Sequence, residues 1–578
     1  MTILIGLARF STRGVTRLNP LGTSAFRRLN TSTVAKTNTP KLLESGNFTP
    51  KAPQFGGRGN TGVKYFSLFA IGALVSSGIT YYLTYQAPNA SSINRVWTNA
   101  QYGDMAAFEK AMPELIAALG EDGLSIDDED LKSHGYSEWA TYNIDKNPIA
   151  IAYPRSTQEV SAIAKVCHKY RIPMIGFSGG SSLEGNFCAP NGGVCIDFCH
   201  MNQIIEVRPQ DMDCTVQPAV GWMDLNAELE KQNAKLFLAV DPGPTAKIGG
   251  MVATNCSGTN CVKYGPMRDH IVNLTVVLAD GTVIKTRQRP RKSSAGYNLN
   301  HIFCGSEGTL GLITEITVKL QVVPEELRIG VCAFPSVHAA TNTALDIIRA
   351  GIPIHAVELM DDAQMWAINR AGYTTRSWEE KDTLLFKFSG TKSSVKEQIE
   401  KAQKIAESHG GIKFEFAKNE EEQHQIWSAR KESLWSSLAL GPKNGKFYGT
   451  DVAVPLSRLA DLVLATKKDL QESGLFGSAL GHVGDGNFHA SIVYVDEDLP
   501  KVRKLAQNLV KHGLEMEGTC TGEHGVGAGK VKYLMDELGS DAVFLMRTIK
   551  LALDPYELLN PGKLFTEASV QYAKEKGL

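Results

Sequence analysis

Two histidines flank an Asp-Gly pair in the stretch GHVGDGNFHAS, residues 481–491. Asp485-Gly486 is typical of a two-residue type I′ hairpin turn, in which both central residues need φ > 0. With the turn centred there, His482 lies opposite His489, and opposed residues carry their Cβ atoms roughly 5 Å apart on one face. Two imidazoles at that distance can bind one metal ion, or they can form an ordinary cross-strand pair.

A carboxylate and another histidine follow in CTGEHGVGAGK, where Glu523 and His524 are adjacent and flanked by glycines. Two histidines and one carboxylate leave open positions on a divalent metal, which is the pattern of a catalytic site. Counting along the chain does not establish that Glu523 reaches the histidine pair. These ligand types suit zinc, the first choice here, and also iron or manganese.

An arginine shares the apolar face of a predicted helix in HQIWSARKESLWSS. Ile426, Trp427, Arg430 and Leu434 are spaced so that they fall on one helical stripe. Buried arginine is uncommon without a partner. That partner is either a substrate carboxylate, bound through two parallel N–H···O bonds, or an acidic residue of the protein.

The elements that must position these residues begin with a predicted helix near 105–122 and continue as an α/β region. Residues 149–182 read as strand, helix, strand and a glycine-serine turn, with Ser156 just before the helix. Further strand-like runs are GVCIDF, IIEVRP, DCTVQPAV and NLTVVLADGTVIKT, the last a hairpin that turns at Asp280-Gly281.

Glycine clusters interrupt this region in GFSGGSS, DPGPTAKIGGMVATNCSGTNCVKYG and GSEGTLGLITE. Glycine lets backbone N–H groups approach a phosphate closely, although such clusters can also be plain tight turns. No G-x-G-x-x-G follows the first strand, and GVGAGKVK lacks the Ser or Thr that a P-loop needs after its lysine, Lys530. The pattern therefore excludes the two commonest nucleotide-binding motifs.

Together, PRSTQEVSAIAKVC, GFSGGSSLEGN, the long DPGP segment and FCGSEGTLGLITE resemble the FAD domain of the vanillyl-alcohol-oxidase/p-cresol-methylhydroxylase type. The resemblance implies an α+β fold with a two-subdomain FAD-binding region and a C-terminal α+β substrate or cap domain. It also implies noncovalent FAD, because the first glycine turn lacks the histidine that tethers flavin in some members. The FAD contacts that it implies are Ser178, Gly179, Gly180, Ser181, Ser182, Gly185, Pro242, Gly243, Gly249, Gly250, Thr254, Asn255, Ser257, Gly258, Gly265, Glu307, Gly308, Gly311, Ile313 and Asn560.

The segments GHVGDGNFH, GEHGVGAGK and LDPYELLNPGKLF are similar to the C-terminal domain of FAD-linked D-2-hydroxyacid dehydrogenases. With the FAD domain, the resemblance covers about residues 115–566. It implies that the metal ligands are His482, His489 and Glu523, and that His524 is the general base. It further implies that Arg430, Asn487 and His524 bind the substrate, with Asn560 also lining its pocket.

One departure from the family pattern narrows the range of expected substrates. Relatives that oxidise D-2-hydroxyglutarate carry a lysine in a YKYD-like motif, whereas this chain reads FYGTDVAVP with Gly449 at that place. We therefore expect a short monocarboxylate, D-lactate, to be oxidised to pyruvate by hydride transfer to FAD. The alternatives are a D-2-hydroxyglutarate or other D-2-hydroxyacid dehydrogenase, a metal-dependent hydrolase, and a non-catalytic membrane flavoprotein.

The N-terminal segment has the composition of a mitochondrial presequence, because the first acidic residue is Glu44 and arginines are frequent before it. Tyr65–Tyr85 contains no charge and is long enough to span a bilayer. The alternatives are a basic disordered arm and a buried core helix. The predicted segments are a presequence (1–62), a transmembrane helix (63–86), a linker with a helix (87–144), the FAD domain (145–324), the cap domain (325–566) and a tail (567–578).

This address predicts attachment to the mitochondrial inner membrane, with the catalytic domain facing the intermembrane space and cytochrome c as the electron acceptor. The composition, 43% hydrophobic and 21% charged with a net charge of -1, gives no indication of nucleic-acid binding. Ten cysteines without a CxxC pair argue against cysteine-bound zinc and favour buried thiols. The sequence predicts no oligomeric state.

Overall fold

The computed structural model describes residues 100–575. The predicted presequence (1–62) and transmembrane helix (63–86) lie outside the described residues. Among the helices that are described, none is long and apolar enough to cross a membrane.

The N-terminal half of the described chain is built on two sheets. Its elements are α1 (Met105–Leu119), β1 (Leu124–Ser125), α2 (Asp128–Gly135), β2 (Ala150–Ala152), α3 (Thr157–Tyr170), β3 (Met174–Phe177), β4 (Val194–Asp197), β5 (Ile204–Arg208), β6 (Asp213–Val216), α4 (Trp222–Lys231), β7 (Leu236–Phe237), α5 (Ile248–Thr254), α6 (Cys261–Tyr264), β8 (Ile271–Val277), β9 (Val283–Lys285), α7 (Leu299–Phe303), β10 (Leu312–Lys319) and β11 (Gln321–Val322). The first sheet has the order β1-β2-β4-β3, and the second has the order β5-β6-β10-β8-β9.

The predicted strand-helix-strand unit forms the first sheet. β2 and β3 both run parallel to β4, and α3 makes the crossover between β2 and β3. The Ser156 hydroxyl accepts a hydrogen bond from the Glu159 N–H and so caps the first turn of α3. Val160, Ile163 and Cys167 are fully buried against the sheet. The helix predicted to begin after Ser156 is therefore confirmed.

The second sheet is antiparallel throughout. Its β8–β9 hairpin turns at Asp280-Gly281 as predicted, and Gly281 adopts φ +84°, a conformation that side chains disfavour. A small β7–β11 ladder completes this half. The chain then enters the C-terminal half at β12.

The C-terminal half is one large antiparallel sheet covered by helices on both faces. Its elements are β12 (Glu326–Phe334), α8 (Val337–Arg349), β13 (Ala356–Met360), α9 (Asp362–Ala371), β14 (Asp382–Gly390), α10 (Lys392–Ser408), β15 (Ile412–Phe416), α11 (Glu420–Lys431), α12 (Ser433–Leu440), β16 (Lys446–Gly449), β17 (Val452–Ala453), α13 (Leu459–Ser473), β18 (Phe476–Gly481), β19 (Asn487–Tyr494), α14 (Leu499–Glu515), α15 (Leu534–Leu538), α16 (Ser540–Leu553) and α17 (Glu567–Glu575). The strand order is β15-β12-β14-β13-β18-β19-β16, and β17 also pairs with β19.

The two faces of this sheet pack against different hydrophobic cores. Val357 and Leu359 of β13 point to a core shared with α8, α10, α13 and α14. Ala356 and Met360 point the other way, into a smaller core with α9 and α11. Because side chains alternate along a strand, Glu358 lies on the face of the smaller core. This alternation brings an acidic side chain under α11.

The hairpin that carries the two histidines exists, but its predicted register is wrong. Leu480, not His482, pairs with His489, and the loop runs from His482 to Gly486. Gly486 has φ +75°, whereas Asp485 is not among the residues with positive φ, so the turn is not type I′. A shift of two residues keeps every side chain on its predicted face, so both imidazoles still lie on the same side.

The predicted arginine helix is shorter than its apolar stripe. α11 ends at Lys431, and Leu434 belongs to the separate helix α12. Ile426 and Trp427 are buried, as the spacing indicates. Arg430 remains on the stripe, in the last turn of α11.

Candidate active site

A cavity of about 920 Å³ is lined by residues of both halves. Most of the predicted FAD contacts line it. These are Ser178, Gly179, Gly180, Ser181, Ser182, Pro242, Gly243, Gly249, Gly250, Thr254, Gly258, Glu307, Gly308, Gly311, Ile313 and Asn560. The predicted catalytic and metal-binding residues Arg430, His482, His489, Glu523 and His524 line the same cavity.

The glycine wall of the cavity suits a bulky, phosphate-bearing ligand. A Cβ atom added to Gly243 or Gly250 would point into open space, with no atom within 4 Å. At Gly249 a Cβ would instead lie 2.5 Å from Pro218, so this glycine allows close packing of α5. Where no side chain stands in the way, a pyrophosphate can approach the backbone N–H groups closely. The residues present therefore fit a flavin dinucleotide.

Four predicted FAD contacts do not line the cavity. Gly185 and Gly265 are turn residues with φ +69° and +81°, and Asn255 ends α5 with its side chain bonded to the Arg268 N–H. Ser257 contacts another part of the site, because its hydroxyl donates to Glu523 Oε2 at 2.6 Å. The glycine-rich segment thus reaches the carboxylate of the histidine cluster.

His482, His489 and Glu523 converge, with one candidate ligand atom from each lying within 4.8 Å of the others. His482 Nε2 is 3.4 Å and His489 Nε2 is 3.2 Å from Glu523 Oε1. The two rings are nearly perpendicular with centroids 5.6 Å apart. The three side chains therefore face a common point.

The other ring nitrogens of the two histidines are engaged by the protein. His482 Nδ1 lies 2.8 Å from Glu358 Oε1, and His489 Nδ1 lies 2.8 Å from the Thr450 carbonyl oxygen. When Nδ1 donates to such acceptors, the lone pair is on Nε2, directed at the common point. This arrangement is typical of metal-bound imidazoles, so the site fits a divalent cation.

Charge balance also favours a cation at this point. Burial alone would lower the pKa of His482, but the negative charges of Glu358 and Glu523 raise it well above its ordinary value. Burial would raise the pKa of Glu523, yet the His482 charge and hydrogen bond hold it well below its usual range. The carboxylates thus require a nearby positive charge, which either a proton or a metal ion supplies.

His524 differs from His482 and His489. Its ring stacks on His489 at 5.4 Å, and its Nδ1 is buried without a hydrogen-bond partner among the described residues. Burial lowers the pKa of His524, so its ring is neutral at neutral pH. A neutral imidazole that lines the cavity can accept a proton.

Two buried carboxylates hold the loop that carries Glu523 and His524. Asp451 Oδ2 accepts hydrogen bonds from both of their backbone N–H groups, each at 3.0 Å. Glu307 accepts from the N–H groups of Val526 and Gly527, each at 2.7 Å. The loop is therefore fixed from both sides, which positions the side chains of Glu523 and His524.

Replacing Asp451 with asparagine is expected to lower the free energy of unfolding by about 3 kcal/mol, because it leaves buried Lys530 with one carboxylate fewer. Urea unfolding followed by tryptophan fluorescence measures this. Asp461→Asn, which removes an exposed ion pair with Arg458, is the control and should change stability by less than about 0.5 kcal/mol. Equal effects of the two substitutions would contradict this role.

Arg430 has an acidic partner and also faces the cavity. Its Nε donates to Glu358 Oε2 at 2.9 Å, and Glu358 is fully buried. Within the described residues, the two terminal guanidinium nitrogens of Arg430 donate no hydrogen bond. The acidic protein partner that was one alternative for Arg430 is therefore present. The terminal nitrogens still remain available to a ligand, so the other alternative, a substrate carboxylate, stays open.

Sequence reasoning missed Glu358 and Asp451. Each is an acidic residue inside an apolar run, AVELM and GTDVAVP, and that is the only local signal they carry. Asn487, expected to line the substrate pocket, does not line the cavity; it is buried beside Gly522, where an added Cβ would lie 2.7 Å from its side chain. Asn560 does line the cavity, and its amide donates to Glu307 O.

Comparison with known proteins places the chain among flavoenzymes. Residues 148–287 match the family described as FAD binding domain, and residues 323–564 match FAD linked oxidases, C-terminal domain. The mitochondrial D-lactate dehydrogenase [cytochrome] of Kluyveromyces lactis is 44% identical over 477 residues, which cover 80% of this chain and 82% of that protein. The chain belongs to the FAD-linked oxidase family.

Within the FAD-linked oxidases, a second relative matches over most of both chains. The mitochondrial D-lactate dehydrogenase [cytochrome] of Arabidopsis thaliana is 40% identical, over 91% of this chain and 94% of its own length. A crystal structure of p-cresol methylhydroxylase with substrate bound shares the fold, with a TM-score of 0.67 at 18% identity over 80% of this chain and 97% of that one. The predicted α+β fold of the vanillyl-alcohol-oxidase/p-cresol-methylhydroxylase type is confirmed.

Proposed function

We propose that this chain is an FAD-dependent D-lactate dehydrogenase that oxidises D-lactate to pyruvate. The observation that carries the proposal is that one cavity is lined by the glycine wall around Gly243 and Gly250, by Arg430 and by the histidine cluster. The names of the relatives, D-lactate dehydrogenase [cytochrome], support the same reaction.

Arg430 binds the substrate carboxylate through its terminal nitrogens. Glu358 holds Nε and so fixes the plane of the guanidinium group. Two parallel N–H···O bonds to a carboxylate fix its direction as well as its position. Binding at one end aims the Cα–H of the substrate, which is the positional part of catalysis.

His524 takes the proton of the substrate hydroxyl. Its Nδ1 is buried, which leaves Nε2 as the nitrogen for this proton. His482, His489 and Glu523 would hold a divalent metal, zinc in the first place or else iron or manganese, which would make the hydroxyl more acidic. The glycine wall would hold FAD, which would supply the acceptor for the hydride that leaves Cα.

Steady-state oxidation with an artificial dye or cytochrome c as acceptor tests the proposal. D-Lactate is expected to be oxidised, L-lactate not, and D-2-hydroxyglutarate poorly, because Gly449 offers no charge for a second carboxylate. A preference for the dicarboxylate would favour the D-2-hydroxyglutarate alternative. Absence of any hydroxyacid oxidation by flavin-loaded protein would overturn the proposal.

Replacing Arg430 with lysine is expected to lower kcat/KM for D-lactate by about a hundredfold, because a point charge does not reproduce the two parallel bonds. Steady-state kinetics measure the change. Arg370→Lys, which alters an exposed ion pair with Glu380, is the matched control and should leave kcat/KM unchanged. An unaltered kcat/KM in Arg430→Lys would remove Arg430 from the substrate site.

We also propose a mitochondrial location, at the inner membrane with the catalytic domain in the intermembrane space and cytochrome c as acceptor. The acid-free, arginine-containing segment before Glu44 and the uncharged stretch Tyr65–Tyr85 support this. The names of the relatives include mitochondrial and cytochrome. Protease protection in mitochondria and mitoplasts tests it; protection after the outer membrane is ruptured would contradict the intermembrane-space location.

A further inference from the structure

Strand β16 presents two residues of unequal size to the active-site cavity. Phe447 and Gly449 both line the cavity, and Tyr448 between them lies on the opposite face of the strand, where its ring packs 6.4 Å from that of Tyr494. Phe447 and Gly449 therefore point to the same face of β16, and that face borders the cavity.

This pair is adjacent to the histidine cluster. Gly449 pairs directly with Ser491 of β19, which lies two residues beyond His489 on the same face. The residue after Gly449, Thr450, uses its carbonyl oxygen to bind His489 Nδ1 at 2.8 Å. A side chain that covers Gly449 on this face is therefore close to the histidine cluster, where the substrate hydroxyl must bind.

The ring of Phe447 occupies the space above Gly449. A Cβ atom added to Gly449 would lie 2.9 Å from Phe447 Cε1, which is closer than real Cβ contacts. The glycine thus allows the phenylalanine ring to lie over the strand. Leu480, Trp427 and Leu434 line the same cavity, so its wall includes further apolar side chains.

We propose that Phe447 is a specificity-determining residue that limits the length of the 2-hydroxyacid side chain. Its ring forms the wall that the substrate carbon beyond Cα meets, so a methyl group fits and a longer chain does not. A second carboxylate would be desolvated against this ring without a partner. The inference rests on the proposed function and adds the residue that sets substrate size.

Phe447→Ala is expected to remove this wall. The ratio of kcat/KM for D-2-hydroxyvalerate to kcat/KM for D-lactate should rise by about tenfold or more, because each methylene accommodated in an apolar pocket changes discrimination by at least that order. Phe447→Leu, which keeps part of the wall, should give a smaller rise of about threefold. Steady-state kinetics with both substrates measure the ratios.

Tyr448→Phe is the matched control, because it alters the same strand on the opposite face and should leave the ratio unchanged. Flavin content and the thermal unfolding midpoint identify variants that fail to fold, and Phe447→Leu then decides. An unchanged ratio in a folded Phe447 variant, with D-lactate still oxidised, would overturn this inference alone. Failure of the unsubstituted chain to oxidise D-lactate would overturn the proposed function, and this inference with it.

Discussion

His489→Ala is expected to lower kcat for D-lactate by about a thousandfold or more and to reduce the divalent metal bound per chain. His489 Nε2 faces Glu523, and its Nδ1 lies against the Thr450 carbonyl oxygen. Alanine therefore removes one of the three converging side chains together with its hydrogen bond to Thr450. A Lewis acid contributes several kcal/mol to stabilising developing charge on oxygen, which corresponds to a factor of this size. Metal analysis and stopped-flow flavin reduction measure the two effects.

The matched control for this substitution is His512→Ala. His512 lies on α14, half-buried, with Nε2 3.2 Å from Asp469 Oδ2, away from the cavity lining. It should retain metal, flavin and kcat. If His489→Ala loses its metal but keeps its rate, the metal has no part in the reaction.

His524→Gln is expected to lower kcat by about a hundredfold to ten-thousandfold, the range of a lost general base. Unlike His489→Ala, it should keep full metal and flavin content, because His524 is stacked on His489 without being one of the three converging side chains. Glutamine preserves polarity but cannot take a proton at neutral pH. Anaerobic stopped-flow reduction by D-lactate gives the rate of the chemical step.

The surface histidine His301, exposed on α7, provides the corresponding control as His301→Gln. Its rate should equal that of the unsubstituted chain. A His524→Gln variant that reduces its flavin at the normal rate would require another base. Loss of metal in that variant would instead make His524 a fourth ligand.

The histidine hairpin illustrates how much local sequence determines. Alternation and the Asp-Gly signal correctly predicted a hairpin with both imidazoles on one face. The turn type was wrong because the loop is held from outside: the Gly486 carbonyl accepts from the Val454 N–H, and a Cβ on Gly486 would lie 2.1 Å from Val454 O. A contact from Val454, which follows β17, thus outweighed the local turn preference.

The carboxylates that orient the site were beyond the reach of sequence patterns. Glu358 joins His482 to Arg430, and those three residues come from separate elements. Asp451 binds a loop 72 residues later in the chain. Periodicity predicts which face a residue takes but not which distant group it meets, so these pairings required the tertiary structure.

The roles of individual glycines in the glycine-rich segments also required the tertiary structure. Gly243 and Gly250 open onto the cavity, as a phosphate-binding reading expects, whereas Gly185 and Gly265 are turn residues away from it. Ser257 bonds Glu523, a contact that no motif in either segment indicates. The family resemblance identified the segments, and only the structure separated cavity glycines from turn glycines.

The most direct test of the proposed site is an anaerobic titration of the purified, flavin-loaded chain with D-lactate. We predict loss of the visible flavin band in proportion to added D-lactate, with formation of pyruvate and no change on addition of L-lactate. The His489→Ala chain should bleach far more slowly at equal flavin content. A flavin that stays oxidised under D-lactate in the unsubstituted, metal-loaded protein would contradict the proposal that this cavity oxidises D-lactate.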